Sequence, residues 1–97
     1  DDYSADQLFE IFEGMCRKED YKLSSSAIDG LQKTMSEALA NNKGDFANGR
    51  YVRNIFEEMI INQSHRLSAT PSPSKEDLEL FTDTDLPKLS TPIVVKN

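Results

Sequence analysis

The 97-residue chain has no tryptophan, one cysteine, one histidine, little glycine or proline before residue 70, and no long apolar run. Each shortage excludes something. With Cys16 alone, no intrachain disulfide and no thiolate cluster for a metal can form, which points to a reducing, intracellular and cytoplasmic setting. No stretch approaches the roughly 20 apolar residues that span a bilayer, and no basic and apolar leader opens the chain, so no membrane role is expected. There is no Gly-x-Ser-x-Gly, no Cys and His pair at useful spacing, and no helical carboxylate pattern of a metal site. A glycine-rich phosphate loop ending in Lys-Ser/Thr is also missing, so the central apparatus for binding ATP is not in these residues. Catalysis by this chain in isolation is not expected. Its lone His65, near the end of a helix, reads as a surface residue favoured by the dipole rather than a ligand.

What is present suits one small helical domain, since 97 residues build a single core with little stability to spare. The formal charge of −6 makes the chain a poor nucleic-acid binder, because phosphate neutralisation supplies most of that affinity. Its distribution is uneven. Residues 1–20 hold seven acids against two bases, whereas 48–67 hold three Arg against two Glu.

Ser4 and Gln7 have capping-box spacing, and Leu8, Ile11, Phe12 and Met15 form a helical stripe ending near Arg17. Asp6 at its start and Arg17-Lys18 at its end suit the helix dipole. A short polar connection covers 18–23. Ser24-Ser25-Ser26 then offers N-caps, or alternatively phosphorylation targets, for a second helix with Ile28, Leu31, Met35, Ala38 and Leu39 on one face. Gly30 is read as an interior weakness of about 1 kcal/mol. Asn41 to Asp45 ends that helix, and Phe46 is placed to staple the chain onto the next one.

The third helix, from about Asn48 to Leu67, is the longest. Val52, Ile55, Phe56, Met59, Ile60 and Leu67 give it a core face. Thr70-Pro71-Ser72-Pro73-Ser74 is a loop, and Ser74 with Asp77 opens a short helix whose main apolar residue is Leu78. Phe81 and Leu86 are positioned to dock back on the bundle, and Thr82-Asp83-Thr84-Asp85 reads as capping rather than a cation site. Residues 88–97 are expected to be an extended or partly disordered tail, which makes 1–87 the domain.

Arg50 and Arg53 stand out because they lie on one side of the first turn of the third helix, where the dipole is positive. A cation there costs a few tenths of a kcal/mol. Two readings follow: solvated side chains, with Arg53 pairing with Glu57 one turn on, or a site for a phosphate or carboxylate beside the unpaired N–H groups.

Asn48-Gly49-Arg50-Tyr51-Val52-Arg53-Asn54 resembles the Asn-Ala-Arg-x-Val-Arg-Asn motif in the small C-terminal lid of AAA+ ATPases of the CbbX and stage V sporulation protein K family. Asp2-Tyr3-Ser4 looks like the family's Pro-Asp-Tyr-Thr lid opening. Asn62-Gln63-Ser64-His65-Arg66-Leu67 looks like its Asn-Gln-Ala-x-Arg-Leu helix close, and Lys75 to Leu78 with Thr84 to Leu86 its terminal segment. The resemblance covers about 2–86, with Gly49 where Ala is usual. It implies an all-α bundle of three to four helices with a short C-terminal extension. It also implies that Arg50 is the sensor-2 residue reaching nucleotide phosphates, supported by Arg53, Asn48 and Gly49. ATP and Mg2+ would be held by the large domain of a longer parent chain. The implied partners are that domain, neighbouring subunits of a hexamer, and a protein substrate to be remodelled. The competing reading, without nucleotide, is a free-standing acidic interaction module docking through helix one or the apolar tail.

Overall fold

The computed structural model describes residues 4–41 and 48–87. Helix α1 runs Ala5–Lys18 behind the expected capping box: Ser4 Oγ accepts from the Gln7 N–H, and Gln7 Oε1 accepts from the Ser4 N–H. It ends in a tight reversal. The Tyr21 N–H donates to the Cys16 carbonyl (2.7 Å) and the Asp20 N–H to that of Arg17 (3.4 Å), the bond pair of a Schellman turn. Asp20 takes the left-handed conformation (φ 64°) usually given to glycine. This turn throws Tyr21 back over the core, where its ring stacks on Phe81 at 4.4 Å and 7°.

The polar connection therefore does more than its sequence suggests. Lys22–Leu23 forms a strand, β1, paired in parallel with β2, Leu80–Phe81, in the register Lys22 to Leu80 and Leu23 to Phe81. The Ser24 N–H extends the ladder to the Phe81 carbonyl. A ladder this short has no periodicity to read. It exists because the C-terminal segment returns to the first helix.

Helix α2, Ser25–Asn41, is capped by Ser24, whose Oγ accepts from the Ala27 N–H at 3.1 Å. Its buried line is Ala27, Leu31 and Met35, with Ile28 and Leu39 half-buried on its flank. Gly30 is a close-approach position: a Cβ there would overlap Leu86 Cδ1.

Helix α3, Asn48–Leu67, buries Val52, Ile55, Phe56, Met59 and Leu67, as its spacing predicts. After it, Ser74 and Asp77 form a second capping box that opens α4, Lys75–Glu79. Leu78 does not help to bury this helix, being 51% exposed. A 3-10 turn at Asp83–Asp85 follows β2. The core is aromatic at its centre, with Phe12 edge-on to Phe56 at 5.7 Å and Phe81 edge-on to Phe56 at 6.1 Å. Each such pair adds about 0.5–1.5 kcal/mol beyond area burial. Phe81, supplied by the returning segment, is fully buried.

The architecture is the expected all-α bundle, with one two-residue ladder added. Asp1 to Tyr3, the Asn42 to Asp45 turn, the Phe46 staple and the 88–97 tail lie outside the described residues.

Candidate functional site

Arg50 is an exposed residue in the first turn of α3. Among the described residues it makes no ion pair. That turn contains no acidic residue to offset the dipole cost of a cation there. Arg53, one turn further on, reaches Glu57 at 3.8 Å, but the two side chains are 64% and 60% exposed. A pair in that much water holds its partners by at most a few tenths of a kcal/mol. Arg53 thus has the solvated pair expected of it, and Arg50 makes no ion pair among the described residues.

The two arginines serve different surroundings. Arg53 borders a cavity of about 350 Å³ between α1 and α3, with Ile11, Met15 and Phe56 as its apolar floor and Lys18 as a second cation. Arg50 lines none of the described cavities. Gly49 is exposed, and among the described residues a Cβ on it would meet nothing within 4 Å. The backbone of Asn48 opens α3, and its side chain lies outside the description. Tyr51 turns inward from the same turn and is half-buried, and burial pushes its phenol up to about 12. No group of three potential metal ligands occurs among the described residues.

The far end of α3 holds an arrangement that sequence reasoning missed. Arg66 donates Nε to Asp85 Oδ1 and Nη2 to Asp85 Oδ2, both at 2.9 Å, and Nη2 also reaches the Leu80 carbonyl at 3.2 Å. Asp85 is fully buried, and the Thr82 N–H bonds its carboxylate at 2.9 Å. The hydrogen bond to Asp85 is the main reason the Arg66 guanidinium is raised above its ordinary range. Gln63, buried one turn earlier, donates to the carbonyls of Leu78 and Leu80 at 3.0 and 2.9 Å. Asn62 donates to those of Asp85 and Leu86.

Asn62, Gln63 and Arg66 together grip the backbone of the segment that carries Phe81. The available signal was Gln63, a polar residue at a core-phase position four after Met59. Arg66 is explained at sequence level by the dipole alone, and nothing local marks Asp85 as buried.

The described residues thus form a small helical bundle with an exposed arginine at the start of its longest helix and a returning C-terminal segment. The AAA lid domain family matches residues 4–93, and the chain belongs to that family. It is similar to stage V sporulation protein K of Bacillus subtilis (strain 168), with 36% identity over 86 residues, which is 88% of this chain and 27% of the relative. The chain thus spans about a quarter of that relative's length. No helix among the described residues is long and apolar enough to cross a membrane.

Proposed function

We propose that the chain acts as the lid of an AAA+ ATPase, with Arg50 as the sensor-2 residue that couples ATP binding and hydrolysis to lid movement. The observation that carries this reading is the exposure of Arg50 in the first turn of α3 without an ion-pair partner among the described residues. A guanidinium held at a helix start is complementary to a phosphate approaching from outside the bundle. Arg53 supports it as a second positive charge on the same side. Asn48 and Gly49 shape the turn, and Gly49 leaves open backbone beside the incoming anion.

In this reading ATP and Mg2+ sit on a large nucleotide-binding domain elsewhere in a parent chain, and the lid supplies one arm. Loss of the γ-phosphate removes the charge Arg50 holds, so the lid is released to rotate. Neighbouring subunits of a hexamer would feel that rotation, and a partner protein would be remodelled by it in the cytoplasm. The overlap with stage V sporulation protein K over most of this chain supports the assignment.

The test is Arg50→Ala in the complete parent protein. A charge-assisted hydrogen bond of about 1.5–3 kcal/mol corresponds to roughly a tenfold to hundredfold loss in ATP affinity or turnover, with the melting of the lid domain unchanged. Wild-type turnover, affinity and nucleotide-dependent movement in that variant would sink the proposal.

A further inference from the structure

A second cavity, of about 380 Å³, lies between α2 and α3 on the side of Tyr51. Its apolar surface comes from Ala38, Ile55 and the Tyr51 ring, and Pro87 forms part of its wall. Pro87 is also the last described residue, so the chain continues from the edge of this groove. Two acids, Glu37 and Glu58, border it, and among the described residues no Lys or Arg does.

We propose that this groove seats the chain's own C-terminal segment, residues 88–95. The segment has the matching composition: Leu89, Ile93, Val94 and Val95 are apolar, Lys88 and Lys96 flank them, and there is no acid from 88 to 97. Apolar side chains meet the groove floor, while the lysines meet the carboxylates of Glu37 and Glu58. Reach is sufficient. Seven residues from Pro87 to Val94 extend about 23 Å at roughly 3.3 Å each, and the helix from Glu58 back to Tyr51 rises only about 10 Å.

Pro92 has no N–H to leave unpaired against the helices, so an extended run through it costs no hydrogen bond. The family match runs past Pro87 to residue 93, as it should if this segment is part of the domain. Attachment also favours this occupant over a separate molecule. A short tether holds its segment at an effective concentration of about millimolar, enough for a modest apolar contact to win. The seated segment covers Tyr51 and Asn54, which flank Arg50, and so braces the first turn of α3. The proposal does not depend on the nucleotide reading.

The experiment uses the 97-residue chain with a nitroxide at Asn97→Cys in a Cys16→Ala background, read by amide relaxation. Strong broadening at residues 34–38 and 51–58 is expected, abolished when Ile93→Asp and Val94→Asp are added while the spectrum stays dispersed. Broadening confined to the residues adjoining Pro87 overturns the proposal. So does groove broadening that disappears on mixing with excess unlabelled chain, which would make a second copy the occupant. A further measurement avoids the Cys16 substitution. Ile93→Asp/Val94→Asp in the unmodified chain is expected to shift the amides of Ala38, Tyr51 and Ile55, and unchanged shifts there refute the docking.

Discussion

Replacing Arg66 by Ala is the most direct test of what holds the C-terminal segment. The substitution removes two 2.9 Å bonds to the Asp85 carboxylate and a third to the Leu80 carbonyl. Among the described residues, Asp85, at 0% exposure, then keeps only its bonds from Thr82. Breaking a buried ion pair from one side costs about 3–5 kcal/mol. The Arg66 side chain is itself 27% exposed, and water entering the vacated space screens the orphaned charge, so we place the loss near 3 kcal/mol. In a domain of this size that lowers Tm by roughly 12–24 °C.

The assay is urea unfolding followed by helical circular dichroism, with Arg53→Ala as the control. That control removes an ion pair in open solvent and should stay within about 0.5 kcal/mol of wild type. Arg66→Met combined with Asp85→Asn should lose less than the sum of the two single changes, because no charge is stranded. If Arg66→Ala also stays within about 0.5 kcal/mol, the clamp is not what retains the segment and the reasoning fails.

Three further outcomes are expected from equilibrium unfolding. Gly14→Ala, whose Cβ would meet only Arg17 Nη2 at 4.0 Å, should stabilise by about 0.5–1 kcal/mol. Gly30→Ala must push Leu86 off α2 and should be less favourable than Gly14→Ala by about 1 kcal/mol or more; equal effects would refute the close approach. Asp20→Gly relieves a left-handed non-glycine residue and should gain about 1 kcal/mol, an expectation overturned by any loss.

Stability should fall with alkali, and its sign follows from burial. Burial, helped by Glu13 and opposed by Arg17, raises the Cys16 thiol from 9.0 to about 12, and burial raises Tyr51 from 10.0 to about 12. The folded state keeps these protons longer than the unfolded one. Their contribution is therefore intact below pH 9 and lost between pH 9 and 12. Urea midpoints across that window check it, and Cys16→Ala should move the onset up toward pH 10. A midpoint that is flat to pH 12 would contradict the burial of both groups.

The helices were legible because their signals are local. Ser4 with Gln7, Ser24 and Ser74 with Asp77 each mark a start within four residues, and the α3 stripe repeats unbroken from Val52 to Ile60. Arg50 was conspicuous because its charge opposes the dipole of its own helix, and the resemblance of its motif named a role for it. The β1 and β2 pairing and the Arg66 to Asp85 fork were not legible, since each joins residues on either side of the loop at 70–74. Only the return of the chain through that loop brings them together. Ala27 shows a smaller miss of the same origin: α2 turns its Ala27, Leu31 and Met35 line inward to meet both α1 and the returning segment, a rotation its own sequence does not specify.

The pairing of 22–23 with 80–81 also orders events in time. Those bonds close a loop of nearly sixty residues, and closure of that length gains nothing until the intervening helices have shortened the path. The grip of Asn62, Gln63 and Arg66 on the returning segment spans only 14–24 residues and can form with α3 first. The ladder between 22–23 and 80–81 then closes last. Substitutions that weaken this ladder should quicken unfolding and leave the folding rate nearly untouched, so that pairing sets how long a folded molecule lasts rather than how fast it is made.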